Sequence, residues 1–284
     1  VNDASAERES TGPAVRNADC TAFLQWALPH LGRSWPGYRK VRRLVCRRLA
    51  RRLRELRLPD LDAYRRHLAG RPEEWPSLDA LCGIPVSRFY RDRGVFDALE
   101  RSVLPALATA APPRPRLQVW SAGCASGEEP YTVAILWTVR LEPRFPQLGV
   151  HIVATDLDER VLARARAGRY ARSSLKELPT ELLAAGFEPA DGDWQVRDRF
   201  RHVEFRRQDL REATPDGPFD LVLCRNAVLT YYAPAVRLAV MRRIADRLRP
   251  GGGLVIGIHE SLPGGLTGFA PWPGARGIHR RVAD

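Results

Sequence analysis

An α/β fold with a mostly parallel sheet, preceded by an all-helical N-terminal domain, is the architecture that this 284-residue sequence predicts. Before residue 109 the apolar residues recur only at helical spacing. Beyond residue 116, short apolar runs alternate with helical stretches, the pattern of strands joined by crossover helices on both faces of a sheet. Thr109 to Arg116, rich in Ala and Pro, divides the two patterns and reads as a linker. The expected organisation is a tail over 1–18, a helical domain over 19–108, the linker over 109–116 and the α/β domain over 117–284.

The opening residues, Val1 to Asn17, are polar and mixed in charge, lack the apolar centre of a secretory signal, and read as a disordered tail. Phe23, Leu24, Trp26, Ala27 and Leu28 then predict a short amphipathic helix that Pro29 limits. A longer helix is expected over Tyr38 to Leu56, where Val41, Leu44, Val45, Leu49, Leu53 and Leu56 recur three or four residues apart. Arg39, Lys40, Arg42, Arg43, Arg47, Arg48, Arg51, Arg52 and Arg54 fill the remaining positions, so one side is apolar and the other strongly basic. Two readings of that face stand: a solvated surface whose arginine stems lie over the core, or a docking surface for an acidic partner. Pro59 and Asp60 open a third helix carrying Leu61, Tyr64 and Leu68, and Leu78 to Leu81 is a further helical stretch. Ile84 to Arg93 breaks the pattern with a proline and adjacent aromatics; periodicity resumes at Phe96, Leu99, Val103 and Leu104.

In the α/β domain the expected strands are 117–121, 151–155, 203–207, 221–224 and 254–258, with helices over 130–141, 159–167, 175–185 and 234–248. A polar stretch with Trp194, Val196 and Phe200 predicts a small β insertion at about 186–207, and Arg249-Pro250-Gly251-Gly252-Gly253 reads as a tight turn.

Composition narrows the class. The net charge of +12 is nearly all arginine, which suits an acidic partner surface, nucleic acid included, or a coding bias. No apolar run approaches the ~18 residues of a membrane span. The five cysteines, Cys20, Cys46, Cys82, Cys124 and Cys224, are scattered, odd in number and without a C-x-x-C pair. They read as reduced thiols of a cytoplasmic protein, with neither a zinc site nor a disulfide framework.

The chemistry concentrates in Val119 to Thr132. A short buried strand (Leu117, Val119, Trp120) leads through Gly123 and Gly127 into a helix with Pro130 in its first turn. Such a turn lets a ligand approach the backbone and the helix N-terminus. Its glycine spacing is not G-x-G-x-x-G, and Glu128 and Glu129 would repel a pyrophosphate. A ligand with cationic groups fits better, and S-adenosylmethionine carries an ammonium and a sulfonium. An ordinary glycine-containing loop is the competing reading. Ligands of open parallel sheets bind at the carboxyl ends of the strands, so the polar residues there matter. Asp156 follows the second strand and suits a ribose diol; Asp158 reads as a helix cap. Asp209 and Leu210 follow the next strand, where a carboxylate can accept from an adenine amine and a leucine can pack on the ring. Arg225 and Asn226 close the strand ending at Cys224, and Arg225 can pair with Glu128 or Glu129.

These residues carry a family resemblance. The Ser-x-x-x-x-x-Gly-Glu-Glu-Pro-Tyr-Thr turn resembles the cofactor loop of CheR-type protein-glutamate O-methyltransferases of bacterial chemotaxis. Thr155-Asp156-Leu157-Asp158 with Ala165-Arg166-Ala167-Gly168-Arg169-Tyr170 is similar to that family's second-strand motif, and Phe219 to Asn226 to its Cys-Arg-Asn strand. Val86-Ser87-Arg88-Phe89-Tyr90-Arg91-Asp92 resembles its Thr-x-Phe-Phe-Arg segment. The match runs in the same order from about Thr21 to Ile278.

The resemblance implies a helical N-terminal domain beside a class I, Rossmann-like S-adenosylmethionine methyltransferase domain with a small β subdomain. It implies that Glu129 holds the methionine ammonium and Asp156 the ribose, with Ala122 and Gly123 in the cofactor turn. Asp209 and Leu210 would frame the adenine, Ser87 and Arg91 would reach the cofactor, and Arg225 with Asn226 would line the site. Arg91 is also the candidate to orient the acceptor carboxylate, and the basic helix over 38–56 to dock on acidic helical receptor domains. The family usually has a tyrosine four residues after the Asn; here Thr230 stands there, with Tyr231 and Tyr232 next, so Thr230 and Tyr231 are the catalytic candidates at that place. Pro85 replaces a polar residue, and Gly-His-Ser-Glu becomes Gly257-Ile258-His259-Glu260. The alternatives are a diverged methyltransferase acting on a small molecule or RNA, with His259 or Glu260 as base candidates, and a non-catalytic cofactor-binding docking module.

Overall fold

The computed structural model describes residues 17–110 and 115–282. The chain divides into two compact units, Val1–Ile84 and Pro85–Asp284. The tail expected over 1–18 lies outside the described residues as far as residue 16, and the centre of the linker, 111–114, lies outside them too. Asn17 and Ala18 already belong to the first helix.

The first unit holds α1 (Asn17–His30), α2 (Trp35–Tyr38), α3 (Arg42–Glu55), α4 (Leu61–Gly70) and α5 (Trp75–Leu81). Pro29 falls in the last turn of α1 and does not shorten it. The helix expected over 38–56 starts later, at Arg42: Tyr38 closes the short α2, which has Pro36 in its first turn, and 39–41 form a turn between the two. Asp60 caps α4, accepting from the Ala63 N–H at 2.7 Å. α1 packs on α2, α3 and α4, and Phe23 stacks on Tyr64 with ring centroids 5.6 Å apart. Glu74 is buried, which pushes its pKa up, yet bonds from Arg52 at 2.7 Å and Tyr64 at 2.8 Å win and hold it below its ordinary value.

One expectation is corrected here. Cys20 of α1 and Cys46 of α3 form a disulfide with Cα atoms 6.0 Å apart, while Cys82, Cys124 and Cys224 are free and buried. Spacing along the chain hid this pair because the two helices meet side by side, within bridging distance. The basic face of α3 is also partly structural. Arg48 donates to the Leu81 and Gly83 carbonyls, and Arg52 binds Glu74 and Glu55. Arg43, Arg47, Arg51 and Arg54 remain exposed.

The second unit is built on a seven-stranded sheet. Its ten strands in chain order are β1 (Arg116–Ala122), β2 (Gly149–Asp156), β3 (Arg169–Tyr170), β4 (Phe187–Ala190), β5 (Asp193–Val196), β6 (Val203–Arg207), β7 (Phe219–Leu223), β8 (Leu248–Val255), β9 (Phe269–Pro271) and β10 (Ile278–Arg281). The order is β6-β2-β1-β7-β8-β10-β9, parallel as far as β8 and antiparallel for the last two pairings. A separate small sheet, β3-β5-β4, is the expected insertion; it recruits Arg169–Tyr170 and excludes 203–207, which pair with β2 in the main sheet. Arg249 to Gly252 lies within β8, where the register against β7 shifts. Alternate side chains feed two cores. Leu117, Val119, Leu221 and Leu223 join the layer of α8 (Glu128–Leu136), whereas Trp120, Val222, Val240 and Met241 join the other. The second layer is covered by α12 (Pro234–Arg247), the last of the helices, which also include α9 (Glu159–Ala167), α10 (Thr180–Gly186) and α11 (Val228–Tyr231).

The helix resuming near Phe96 does not close the helical unit. It runs as α6 (Arg93–Ala98), a π-helical turn (Leu99–Val103) and α7 (Leu104–Ala110). Its buried Val95, Phe96, Leu99, Val103 and Leu107 share one core with Leu117, Val119 and Val255. The compact units therefore divide at Ile84/Pro85 and not near 108. Among the described residues no helix is long and apolar enough to cross a membrane.

Candidate active site

Strand order reverses direction at β1, which has β2 on one side and β7 on the other, so a crevice forms at the carboxyl ends of these strands. All the residues that follow belong to the second unit. Ala122 is in register with Thr155, and the N–H groups of Gly123 and Cys124 both donate to the Thr155 carbonyl, at 2.8 and 2.9 Å. Gly123 and Gly127 have φ of +79° and +90°, the left-handed region that favours glycine. At Gly127 a Cβ would also stand 2.9 Å from Ala165 Cβ. That tight turn delivers the chain into α8 with Glu128 and Glu129 in its first turn.

The two adjacent glutamates have opposite environments. Glu128 is 2% exposed and takes a hydrogen bond from the Ser126 hydroxyl at 3.0 Å. Burial pushes its pKa up, against backbone, Ser126, Arg164 and Ser87 contributions. Glu129 faces the crevice: its Oε1 accepts from the Ser121 hydroxyl at 2.7 Å and its Oε2 from Arg225 at 3.0 Å. Of the two partners the sequence left open for Arg225, the structure selects Glu129. The same guanidinium donates to Asp92 Oδ2 and to the Arg91 carbonyl, each at 2.7 Å, and lies 5.3 Å from the Phe96 ring centroid.

Asp156 ends β2. Its Oδ2 accepts from the Ala125 N–H at 2.9 Å and its Oδ1 from the Asp158 N–H at 3.0 Å. Burial raises its pKa, while these backbone donors pull it back. Asp158 caps α9, accepting from the Arg160 N–H at 2.9 Å. The Arg91 guanidinium donates to the Val86 carbonyl at 3.0 Å and forms no ion pair with a carboxylate among the described residues. Asn226 adopts φ +53°, and its N–H donates to Glu260 Oε2 at 3.0 Å. The Thr230 hydroxyl also donates to Glu260, through Oε1.

Not every candidate is gathered with these. Asp209 is held by its neighbour Arg211 at 2.6 Å and caps a turn through the Arg211 N–H at 2.9 Å. Leu210 is 6% exposed and packs in the layer of Trp120 and Val222. Tyr231 is the last residue of α11 and partly buried, and His259 is exposed. Three participants fall in segments the sequence singled out but had no individual site role there: Asp92, Ser121 and Phe96. Asp92 has φ +61°, in the left-handed region that Asp enters more often than most side-chain-bearing residues.

The donor set fits a cationic nucleoside. Glu129 in the first turn of α8 and Asp156 at the tip of β2 are acceptors, and the buried cation Arg225 is already balanced by Glu129 and Asp92. A diphosphate would find excess negative charge there.

Comparison with known proteins agrees with this geometry. Residues 85–276 match the family described as CheR methyltransferase, SAM binding domain, and residues 23–78 match the CheR methyltransferase, all-alpha domain. A chemotaxis protein methyltransferase of Listeria monocytogenes is 37% identical over 184 residues, covering 64% of this chain and 68% of the relative. One from Vibrio parahaemolyticus is 36% identical over 230 residues, covering 78% and 82%. An uncharacterized 104.1 kDa protein of Rhodobacter capsulatus is 36% identical over 221 residues, 77% of this chain, but the chain spans only 23% of its length. The crevice chemistry, the strand order and both domain matches place this chain in the CheR family of S-adenosylmethionine-dependent methyltransferases.

Proposed function

We propose that this protein methylates the side-chain carboxylate of a glutamate on an acidic, helical protein partner of the chemoreceptor kind, in the cytoplasm, leaving S-adenosylhomocysteine. The observation that carries the reading is Arg91: among the described residues its guanidinium has no carboxylate partner, while its own carbonyl is tied to Arg225 and so to Glu129. When bound, the cofactor supplies an electrophilic methyl on a sulfonium. Glu129 binds the ammonium end and Asp156 accepts from the ribose hydroxyls, with Ala122 and Gly123 leaving the backbone open between them. Ser87 and Asn226 complete the lining. Arg91 orients the acceptor, because a guanidinium holds a carboxylate through two hydrogen bonds.

A glutamate acceptor, pKa ~4.3, is already anionic at neutral pH and requires no general base. Alignment is then the main demand on the protein. A neutral hydroxyl on RNA or a small molecule would need a base. Glu260 serves poorly as one, since both of its oxygens already accept hydrogen bonds. The exposed arginines of α3, Arg43, Arg47, Arg51 and Arg54, supply the charge that suits an acidic helical partner.

The test is incubation with methyl-labelled cofactor, an acidic helical receptor domain and, in parallel, RNA. The expected result is label in the protein, released by mild alkali as from a methyl ester. Alkali-stable label, or label only in RNA, would overturn the assignment.

A further inference from the structure

We propose that Glu260 is a positioning residue, which fastens the strand-tip loop carrying Arg225 and Asn226 to the turn after β8, and that Thr230 acts through it rather than on the acceptor. The proposal rests on the methyl-transfer reading above and names which residues hold that site in shape. Three donors converge on one carboxylate. The Asn226 N–H at 3.0 Å and the Gly257 N–H at 2.7 Å both reach Oε2, and the Thr230 hydroxyl reaches Oε1. The donors come from two segments that are far apart in sequence, the loop after β7 and the end of β8, so the carboxylate acts as a clasp between them.

Two features show that the clasp is built in. Asn226 sits at φ +53°, in the left-handed region that Asn enters more readily than most residues, and this turns its N–H to the carboxylate. Gly257 has no alternative: a Cβ there would lie 2.8 Å from both Asn226 Oδ1 and Glu260 Oε2. The backbone is thus bare where the carboxylate and the amide side chain must approach it. The immediate neighbour of Asn226 is Arg225, whose guanidinium links Glu129 to the 91–92 turn. Release of Asn226 would therefore loosen the cation around which the site is arranged. The Thr230 hydroxyl, spent on Glu260, is not directed at an acceptor.

The experiment compares Glu260→Ala, Thr230→Val and Thr230→Ser in the full chain. Amide hydrogen exchange is read at Asn226 and Gly257, together with kcat and KM for methyl transfer. Glu260→Ala and Thr230→Val are expected to lower kcat by about 10- to 100-fold, as small misplacements do, with little change in acceptor KM and faster exchange at both amides. Thr230→Ser, which keeps the hydroxyl, is expected to restore both readouts. Unchanged exchange in Glu260→Ala, or a loss in Thr230→Val that Thr230→Ser does not restore, overturns the proposal. If the parent protein esterifies no carboxylate, the methyl-transfer reading fails, and amide exchange alone still decides whether Glu260 holds the loop.

Discussion

Arg225 and Glu129 form an ion pair at 3.0 Å with side chains only 4% and 12% exposed, at the point where strand order reverses. Asp92, 2.7 Å away, completes a triad of one cation and two carboxylates. Loss of one partner from a buried pair leaves the other charge uncompensated, at a cost of about 3–5 kcal/mol. Arg225→Ala is therefore expected to lower unfolding free energy by about that amount in urea denaturation at neutral pH.

In the proposed reading Asp156 bears on cofactor affinity more than on the methyl acceptor. Removal of hydrogen bonds to a charged group costs about 2 kcal/mol, or roughly 30-fold in Kd. Asp156→Ala should weaken S-adenosylmethionine binding to that extent by calorimetry, with the acceptor KM unchanged.

The acceptor side has two independent handles. Arg91→Ala should reduce methyl transfer by at least about 100-fold, the scale of lost alignment, with little change in melting temperature, since among the described residues its guanidinium makes one hydrogen bond, to the Val86 carbonyl. Arg47→Glu with Arg51→Glu should weaken binding of an acidic helical domain in pull-down or calorimetry. The effect should fade as salt rises, because exposed charges are screened.

Glu128 makes stability depend on pH in a specified direction. Its carboxyl is pushed up chiefly by burial, so it favours the folded state when protonated and costs stability once ionised. The wild-type contribution is present below the unfolded value of ~4.3 and is lost as pH rises through the higher folded value. Glu128→Gln stays neutral throughout. It should be more stable than the parent at pH 7–8 in urea titrations, with the difference vanishing near pH 4.

The Cys20–Cys46 bridge closes a loop with a sequence separation of 26. Loops of that size gain about 3 kcal/mol from cross-linking. Reduction, or Cys20→Ser, should destabilise the helical unit by roughly that amount in denaturant unfolding, with reduction having no effect on the Cys20→Ser variant.

Much of this architecture is legible from side-chain periodicity. β6 and α9 begin and end where alternation and capping put them, with Asp158 at the cap. The acidic turn also announces itself, because Gly123 and Gly127 mark backbone states that few other residues adopt. What stays hidden depends on contacts across the fold. The apolar stripe of Phe96, Leu99 and Val103 is helical in either unit, and only the sheet it covers assigns it to the second. Cys20 and Cys46 are unremarkable until α1 and α3 lie together. Asp92 and Ser121 gain their roles through Arg225 and Glu129, partners that lie elsewhere in the chain. Adjacent glutamates of one type, Glu128 and Glu129, divide between core and crevice only because α8 turns about 100° per residue.

The Arg225 bridge has a mechanical meaning for the order of events. In the proposed reading one guanidinium touches both the carboxylate offered to the ligand's amine and the carbonyl of the residue offered to the incoming acid. A turn of Glu129 toward an ammonium would leave Arg225 to Asp92 and the 91–92 turn, so that filling one half of the crevice would brace the other.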